Sequence, residues 1–250
     1  MNYLMNYNVF DQTLEEVDLK NNRIINTINP HSYCMTKKDS YFEYVLKNSD
    51  ILLPDGIGIV WASKILQNKS IKKIAGFDVF IFLMNYLNKN NGSCFFLGST
   101  DNTLNLIKER AKKDFPNVKV DTFSPPYKPE FSDEENKSFV KIINEKNPTI
   151  LFVGMTAPKQ EKWAFQNKNE IKAQNICSIG AVFDFYAGTI KRPSDIWIKF
   201  GLEWLPRFLN EPKRLAERNL VSTPKFISEV LSFKLRNRGY LKQEDLTPVQ

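Results

Sequence analysis

An α/β fold, a mostly parallel sheet with helices on both faces followed by a C-terminal helical appendage, is the architecture this chain predicts. Three observations predict it. Short apolar runs alternate with helix-spaced segments over the first 190 residues. Several of those runs end in Asn, Pro, Asp or Gly, the residues that stop a strand. After Lys191-Arg192-Pro193 no convincing strand appears, only helix signals interrupted by Pro193, Pro206, Pro212 and Pro224.

Taken in order, residues 23–28 (RIINTI) form a short strand stopped by Asn29-Pro30. Residues 32–48 show helical spacing in Tyr33, Tyr41, Tyr44 and Val45. Residues 51–53 are a brief buried strand halted by Pro54-Asp55-Gly56, and residues 58–66 and 77–87 read as helices. Residues 93–97 (SCFFL) are a strand ending at Gly98, after which Ser99, Thr100 or Asp101 caps a helix to Asp114. A strand over 118–123, a helix from Ser132 to Glu145 and a central strand over 149–153 (TILFV) follow. Residues 157–169 make a helix with Pro158 in its first turn, where a missing N–H costs little. Residues 175–180 close the series. The result is a Rossmann-like body over 1–190 and a basic helical appendage over 191–250.

Charge sharpens that boundary. Lys and Arg number 35 and Asp and Glu 28, a net +7 in 250 residues. Residues 191–242 hold twelve basic and five acidic residues, the whole of that excess, interleaved with Trp197, Trp204, Phe200, Phe208, Phe226 and Phe233. Such a segment reads either as a solvated helical face or as a surface-binding appendage that meets anionic lipid. Hydrophobic residues at 42% and charged residues at 25% exclude wholesale disorder. Cys34, Cys94 and Cys177 lie far apart and odd in number, which suits small core residues in a reducing compartment. A single histidine, His31, makes most zinc centres untenable; it stands at a strand end, as a structural residue or a catalytic one. Residues 1–20 include acidic residues and no apolar run, so no signal peptide is expected, and no window is apolar enough to span a membrane.

In open parallel sheets ligands bind outside the carboxyl ends of the strands. Four such ends carry polar or glycine-rich sequence: 27–30 (TINP), 54–58 (PDGIG), 98–100 (GST) and 154–161 (GMTAPKQE). Asp55, directly after an apolar strand, is either a general base lifted by burial or a turn-capping carboxylate. The 154–161 stretch, running into a helix start, offers backbone N–H groups to phosphate, with Lys159 and Gln160 adding a cation and an amide, or is an ordinary loop. No Walker or G-x-G-x-x-G pattern occurs at these turns, and no D-x-D pair, so a departing diphosphate would be met by cations and backbone donors rather than a metal. In the appendage, residues 201–215 resolve into two helices, the second capped by Asn210 or Glu211 with Pro212 in its first turn. Arg214 and Arg218, four apart, share a face that suits a diphosphate, or are ordinary exposed arginines.

Together these stretches resemble the WecG/TagA/CpsF family of bacterial glycosyltransferases, glycosyltransferase family 26. The matching residues are Thr27 and Asn29; LPDGIG at 53–58; Ala75-Gly76 with Asp78; Phe96-Leu97-Gly98; Val153-Gly154 with APKQE at 157–161. FDF at 183–185 with Ala187-Gly188, GLEW at 201–204, Arg207, Glu211-Pro212 and Arg214 complete them, in order, from about residue 23 to 218. Three positions depart from the pattern. Lys72-Lys73-Ile74 stands where relatives usually have Arg, Phe77 where Thr is usual, and Thr156 where Gly is common. Lysine keeps the charge but not the bidentate fork.

The resemblance implies an inverting, metal-independent and cofactor-free transfer of a sugar from a UDP-sugar, of N-acetylmannosamine type or a related hexose or uronic acid. The acceptor it implies is a polyprenyl-diphosphate-linked sugar at the cytoplasmic face of the bacterial plasma membrane, in cell-surface polysaccharide synthesis. It implies Asp55 as base, with Thr27, Asn29, Gly56, Lys73, Gly98, Gly154, Lys159, Gln160, Asp184, Arg207, Arg214 and Arg218 on the substrates. Expected partners are thus the UDP-sugar, the lipid-linked acceptor and an anionic membrane surface, with a second copy of the chain as a further candidate, and not nucleic acid. Two other readings stand beside it. A nucleotide-binding oxidoreductase would bind nicotinamide or flavin, against which the missing fingerprint counts; a nucleic-acid-binding protein using the basic tail would show steep salt dependence.

Overall fold

The computed structural model describes residues 2–19, 22–194, 196–197 and 201–244, with the backbone alone at 2, 210, 214 and 237–244. Six parallel strands form the central sheet: β3 (Arg23–Ile28), β4 (Ile51–Pro54), β5 (Ser93–Gly98), β6 (Lys119–Phe123), β7 (Ile150–Gly154) and β8 (Asn175–Ser178). Their order across the sheet is β4-β3-β8-β7-β5-β6. Both faces are covered, which is why β7 reads as an unbroken apolar run with every residue buried.

The period of two along each strand sorts its side chains between two cores. Cys94, Phe96, Ile150 and Phe152 face α4 (Gly76–Lys89), α5 (Asp101–Asp114) and α8 (Val182–Ala187). Phe95, Leu97, Leu151 and Val153 face α6 (Asp133–Lys146) and α7 (Lys159–Asn167). The same side continues onto α1 (Pro30–Thr36), α2 (Ser40–Lys47) and α3 (Ile57–Gln67). Cys34, Cys94 and Cys177 are free and buried, as core residues should be.

Several expected elements are redrawn. The single helix expected over 32–48 is two, because the Asp39 carboxylate accepts the Phe42 N–H at 2.9 Å and starts a second helix. Thr100, of the three candidate residues, caps α5, accepting the Thr103 N–H at 3.3 Å. The helix expected to begin at Ala157 begins at Lys159, with Pro158 as the residue before it. An N-terminal hairpin, β1 (Asn2–Leu4) and β2 (Tyr7–Val9), had no counterpart in the sequence reading. Its turn places Met5 and Asn6 at φ 48° and 70°, a left-handed pair without the glycine that usually announces it.

The C-terminal segment is helical, as expected: α9 (Trp204–Asn210), α10 (Pro212–Ala216), a π turn over Glu217–Ser222, and α11 (Thr223–Glu244). Glu211 precedes α10 and Pro212 opens it. Pro224, expected to break the segment, does not. It lies in the first turn of α11, directly after the π turn, whose wider spacing accommodates a ring that would crowd a regular helix interior. Phe226 and Val230 of α11 are buried in the core beside Tyr33 and Ile59, and Phe226 meets the Tyr33 ring edge-on at 5.1 Å.

Candidate active site

Register brings the first two functional residues together. The β3–β4 ladder pairs Thr27 with Leu53 and Ile28 with Pro54, so Asn29 and Asp55 emerge side by side from adjacent carboxyl ends. The Asp55 N–H extends the ladder to the Ile28 carbonyl at 2.9 Å. Asn29 caps α1, its Oδ1 accepting the N–H groups of His31 and Ser32, each at 3.0 Å. That capping fixes which end of the amide points where: Nδ2 is left to donate to Asp55 Oδ2 at 3.3 Å. Gly56 follows at φ +86°, the backbone state that turns the chain from Asp55 into α3 and that a side chain would strain.

Loss of hydration raises the Asp55 carboxyl above the ordinary carboxylate range. Four groups act on it besides. Arg218 pulls it down, Glu203 pushes it up, and the Asn29 hydrogen bond and Lys73 pull it down. Lys73 is largely buried and pairs with Glu203 at 3.1 Å, while the neighbouring Ile74 N–H donates to the Pro54 carbonyl at 2.9 Å. A carboxylate of the GLEW stretch thus sits on the cation that stands where the arginine of relatives was expected. Arg218 arrives from the π turn.

A second part of the sheet edge is opened by two glycines. β5 connects through α5 to one side of the sheet and β7 through α7 to the other, so their carboxyl ends form a topological switch point. Gly98 and Gly154 pair there, and Gly98 adopts φ +126°. A Cβ on Gly98 would lie 2.2 Å from the Gly154 carbonyl oxygen, so only glycine fits.

Lys159 donates to the Lys128 carbonyl and stands 3.6 Å from the centre of the Phe131 ring, and burial holds its ammonium below the usual lysine range. Gln160 is buried; its Oε1 accepts the Met155 N–H at 3.2 Å and its Nε2 donates to Glu161 Oε1 at 2.8 Å. The amide therefore holds the turn after β7 in shape. Glu161 is buried too, its carboxyl pushed by burial up to about 7, with Oε2 lacking a hydrogen bond among the described residues. Asp184 lies on α8 and accepts the Thr189 hydroxyl at 3.3 Å. Arg207 reaches α8 through the Phe185 ring, 5.0 Å from its centre. The Arg214 side chain lies outside the described residues.

Structure thus gathers Asn29, Asp55, Lys73 and Arg218 into one electrostatic group at the β3–β4 end of the sheet edge, while the Gly98–Gly154 opening lies farther along the same edge, beyond β8. Sequence reasoning gave no role to Glu203, Glu161 or Ser222. Glu203 and Lys73 are 130 residues apart, and no spacing rule connects them.

A sequence model of the Glycosyl transferase WecG/TagA/CpsF family matches residues 4–240. The chain is 30% identical over 224 residues to an N-acetylglucosaminyldiphosphoundecaprenol N-acetyl-beta-D-mannosaminyltransferase of Bacillus spizizenii, covering 89% of this chain and 84% of the relative. A Bacillus subtilis protein of the same name is 30% identical over 216 residues, 86% of this chain and 81% of its own length. A Staphylococcus aureus protein, again so named, is 28% identical over 216 residues, 86% of this chain and 82% of its own length.

Proposed function

Because this chain belongs to the WecG/TagA/CpsF family of glycosyl transferases, we propose that it moves a sugar from a UDP-sugar to a polyprenyl-diphosphate-linked sugar, with Asp55 as general base. The observation that carries this reading is the Asn29–Asp55 contact at the carboxyl edge of the sheet, in reach of two cations. A base needs a carboxylate whose proton affinity is raised but which stays ionised near neutrality. Burial raises the proton affinity of Asp55, and Arg218, Lys73 and the Asn29 amide act in the opposite sense, favouring its ionised form.

In the reaction the acceptor hydroxyl gives its proton to Asp55 while its oxygen bonds to the donor's anomeric carbon. The bond from that carbon to the phosphate oxygen breaks, and UDP leaves with the electron pair. Attack opposite the leaving group inverts the anomeric centre. Backbone donors at the Gly98 and Gly154 strand ends, with Lys73 and Arg218, take up the charge that develops on the diphosphate. Lys73 is paired with Glu203, so diphosphate would compete with that carboxylate for it. Thr27, at the end of β3, and Gly56 complete the wall near Asp55, and Asp184 and the Arg207 that approaches its helix are assigned to the donor's side. Arg214 is assigned to the diphosphate on its place in the sequence alone.

The relatives' names specify an undecaprenol-linked acceptor and N-acetylmannosaminyl transfer. We assign the same acceptor class here, with N-acetylmannosamine as the first donor to test. Such an acceptor is anchored in a bilayer. Among the described residues no helix is long and apolar enough to cross a membrane, so contact would be peripheral. The π turn and α11 present Leu220, Ile227, Leu231 and Leu235 outward, and Lys225, Lys234 and Arg236 belong to the same helix. Apolar side chains with basic neighbours suit an anionic bilayer surface. The test is a panel of UDP-sugars offered with a short-chain polyprenyl-diphosphate-sugar, following UDP release and product mass. Release of UDP that depends on the acceptor, with a product heavier by one sugar, supports the reading; no acceptor-dependent release with any donor refutes it.

A further inference from the structure

The only histidine takes no part in the chemistry above, yet it touches the tail where the tail reaches the base. His31 Nδ1 and Ser222 Oγ share a hydrogen bond of 2.9 Å, and the Cys34 thiol donates to the Ser222 carbonyl at 3.3 Å. Both contacts come from α1, the helix whose capping residue, Asn29, holds Asp55. Ser222 is buried and closes the π turn. Within that turn the Arg218 carbonyl accepts the Thr223 N–H and, at 3.1 Å, the Thr223 hydroxyl. Arg218 is therefore fixed at its backbone by Thr223, and the whole turn is seated on α1 through Ser222. π turns hydrogen-bond less economically than α-helix and are found disproportionately at functional sites.

We propose that His31 and Ser222 are positioning residues, whose hydrogen bond seats the π turn on α1 so that Arg218 stands against Asp55. The inference rests on the reading of Asp55 as the base. Burial, and then the Arg218 charge, lower the His31 pKa; Lys38 acts the same way and Glu217 opposes them. The imidazole is thus neutral at pH 7, with one ring nitrogen for Ser222. Loosening this contact need not unfold the tail, because the Tyr33 hydroxyl still donates to Glu229 at 2.9 Å and Phe226 stays buried.

Asp55 faces Arg218 from the π turn, Glu203 from the stretch before α9, Lys73 from the stretch before α4, and Asn29 from α1. Only Arg218 depends on the π turn. Unseating the turn therefore removes one cation from the base and leaves the other three groups in place. The acid limb of the pH–rate profile should then move to higher pH.

The experiment compares kcat/KM against pH for wild type, His31→Ala, His31→Asn, Ser222→Ala and Arg218→Ala, with Tm recorded for each. Asparagine places a hydrogen-bonding atom near the position of Nδ1. His31→Ala and Ser222→Ala should each lose roughly three- to tenfold in kcat/KM, the worth of one hydrogen bond, and shift the acid limb upward as Arg218→Ala does. His31→Asn should restore both, and His31→Ala combined with Arg218→Ala should lose no more than Arg218→Ala alone. An alanine variant that lowers Tm but leaves the limb and kcat/KM unchanged overturns the proposal, as do multiplicative losses in the double variant. If His31→Ala fails to fold, His31→Asn and Ser222→Ala decide. A wild-type protein with no acceptor-dependent turnover would instead refute the underlying reading of the site, a different failure.

Discussion

The sheet edge and the C-terminal segment contribute to one electrostatic group by opposite means. At the edge, Asn29 and Asp55 are placed by a parallel ladder and a helix cap, with backbone hydrogen bonds on either side. The tail carries most of the net charge of the chain, yet its cation acts on Asp55 through a π turn seated by a few side-chain contacts. The body has built the carboxylate into its fold; the tail has docked the cation onto it. A rigid part and a docked part should respond differently to substitution, and that difference can be broken or sharpened region by region.

The largest stability effect should come where the two regions share a core. Phe226→Ala removes a buried ring of α11 from its place beside Tyr33 and should cost about 3–5 kcal/mol in denaturant unfolding. A cost near zero would mean that the tail is not docked at all.

Next comes a body residue with no counterpart in the tail, Glu161. Its carboxyl is raised from the ordinary 4.5 to about 7 by burial. Below about pH 4.5 folded and unfolded chains both hold the proton, so nothing is lost. Between there and pH 7 the unfolded chain releases it while the folded one keeps it, so stability falls as pH rises. Glu161→Gln abolishes this dependence, and its stability relative to wild type should grow by on the order of 3 kcal/mol from pH 4.5 to 8. Parallel stability curves for the two proteins would show that Glu161 titrates normally.

A smaller effect is expected at the bridge between the regions. Glu203→Gln frees Lys73 of its partner. Both partners are largely buried, so leaving the ammonium without its carboxylate should cost roughly 1–3 kcal/mol of stability, but UDP should bind more tightly, since no carboxylate then competes for the ammonium. Calorimetric titration with UDP measures this; unchanged or weaker binding would remove Glu203 as a competitor. The smallest change in fold is expected on the outer face of α11. Leu231→Ser and Leu235→Ser should leave stability within roughly 0.5 kcal/mol while lowering flotation with anionic liposomes, and undiminished flotation would place the membrane contact elsewhere.

The same division separates what could be read in the sequence from what could not. The TILFV strand, the stops at Asn29-Pro30 and Pro54-Asp55-Gly56, and the Gly98 and Gly154 strand ends follow local rules, because backbone chemistry acts over a few residues. Asp55 was legible for that reason. The break between α1 and α2 was missed because Tyr33 and Tyr41 keep a helical rhythm across it, while Asp39 ends the run by a single side-chain bond. The hairpin turn at Met5-Asn6 lacked the usual glycine. Contacts between distant residues left no local trace: Lys73 with Glu203, and His31 with Ser222, are pairs that only the folded chain defines. Pro224 looked like a break and became the opening of a helix, since a wide turn before it absorbs the ring.

The most direct test of the catalytic assignment is Asp55→Ala, measured for both acceptor-dependent UDP release and UDP affinity. If Asp55 is the base, turnover should fall by roughly 10²–10⁴-fold while UDP binds about as tightly as to wild type. The wild-type rate should also decline on acidification at a pH above the ordinary carboxylate range, in keeping with the raised Asp55 pKa. Near-native turnover by Asp55→Ala, or a loss of activity matched by an equal loss of UDP affinity, would contradict that role.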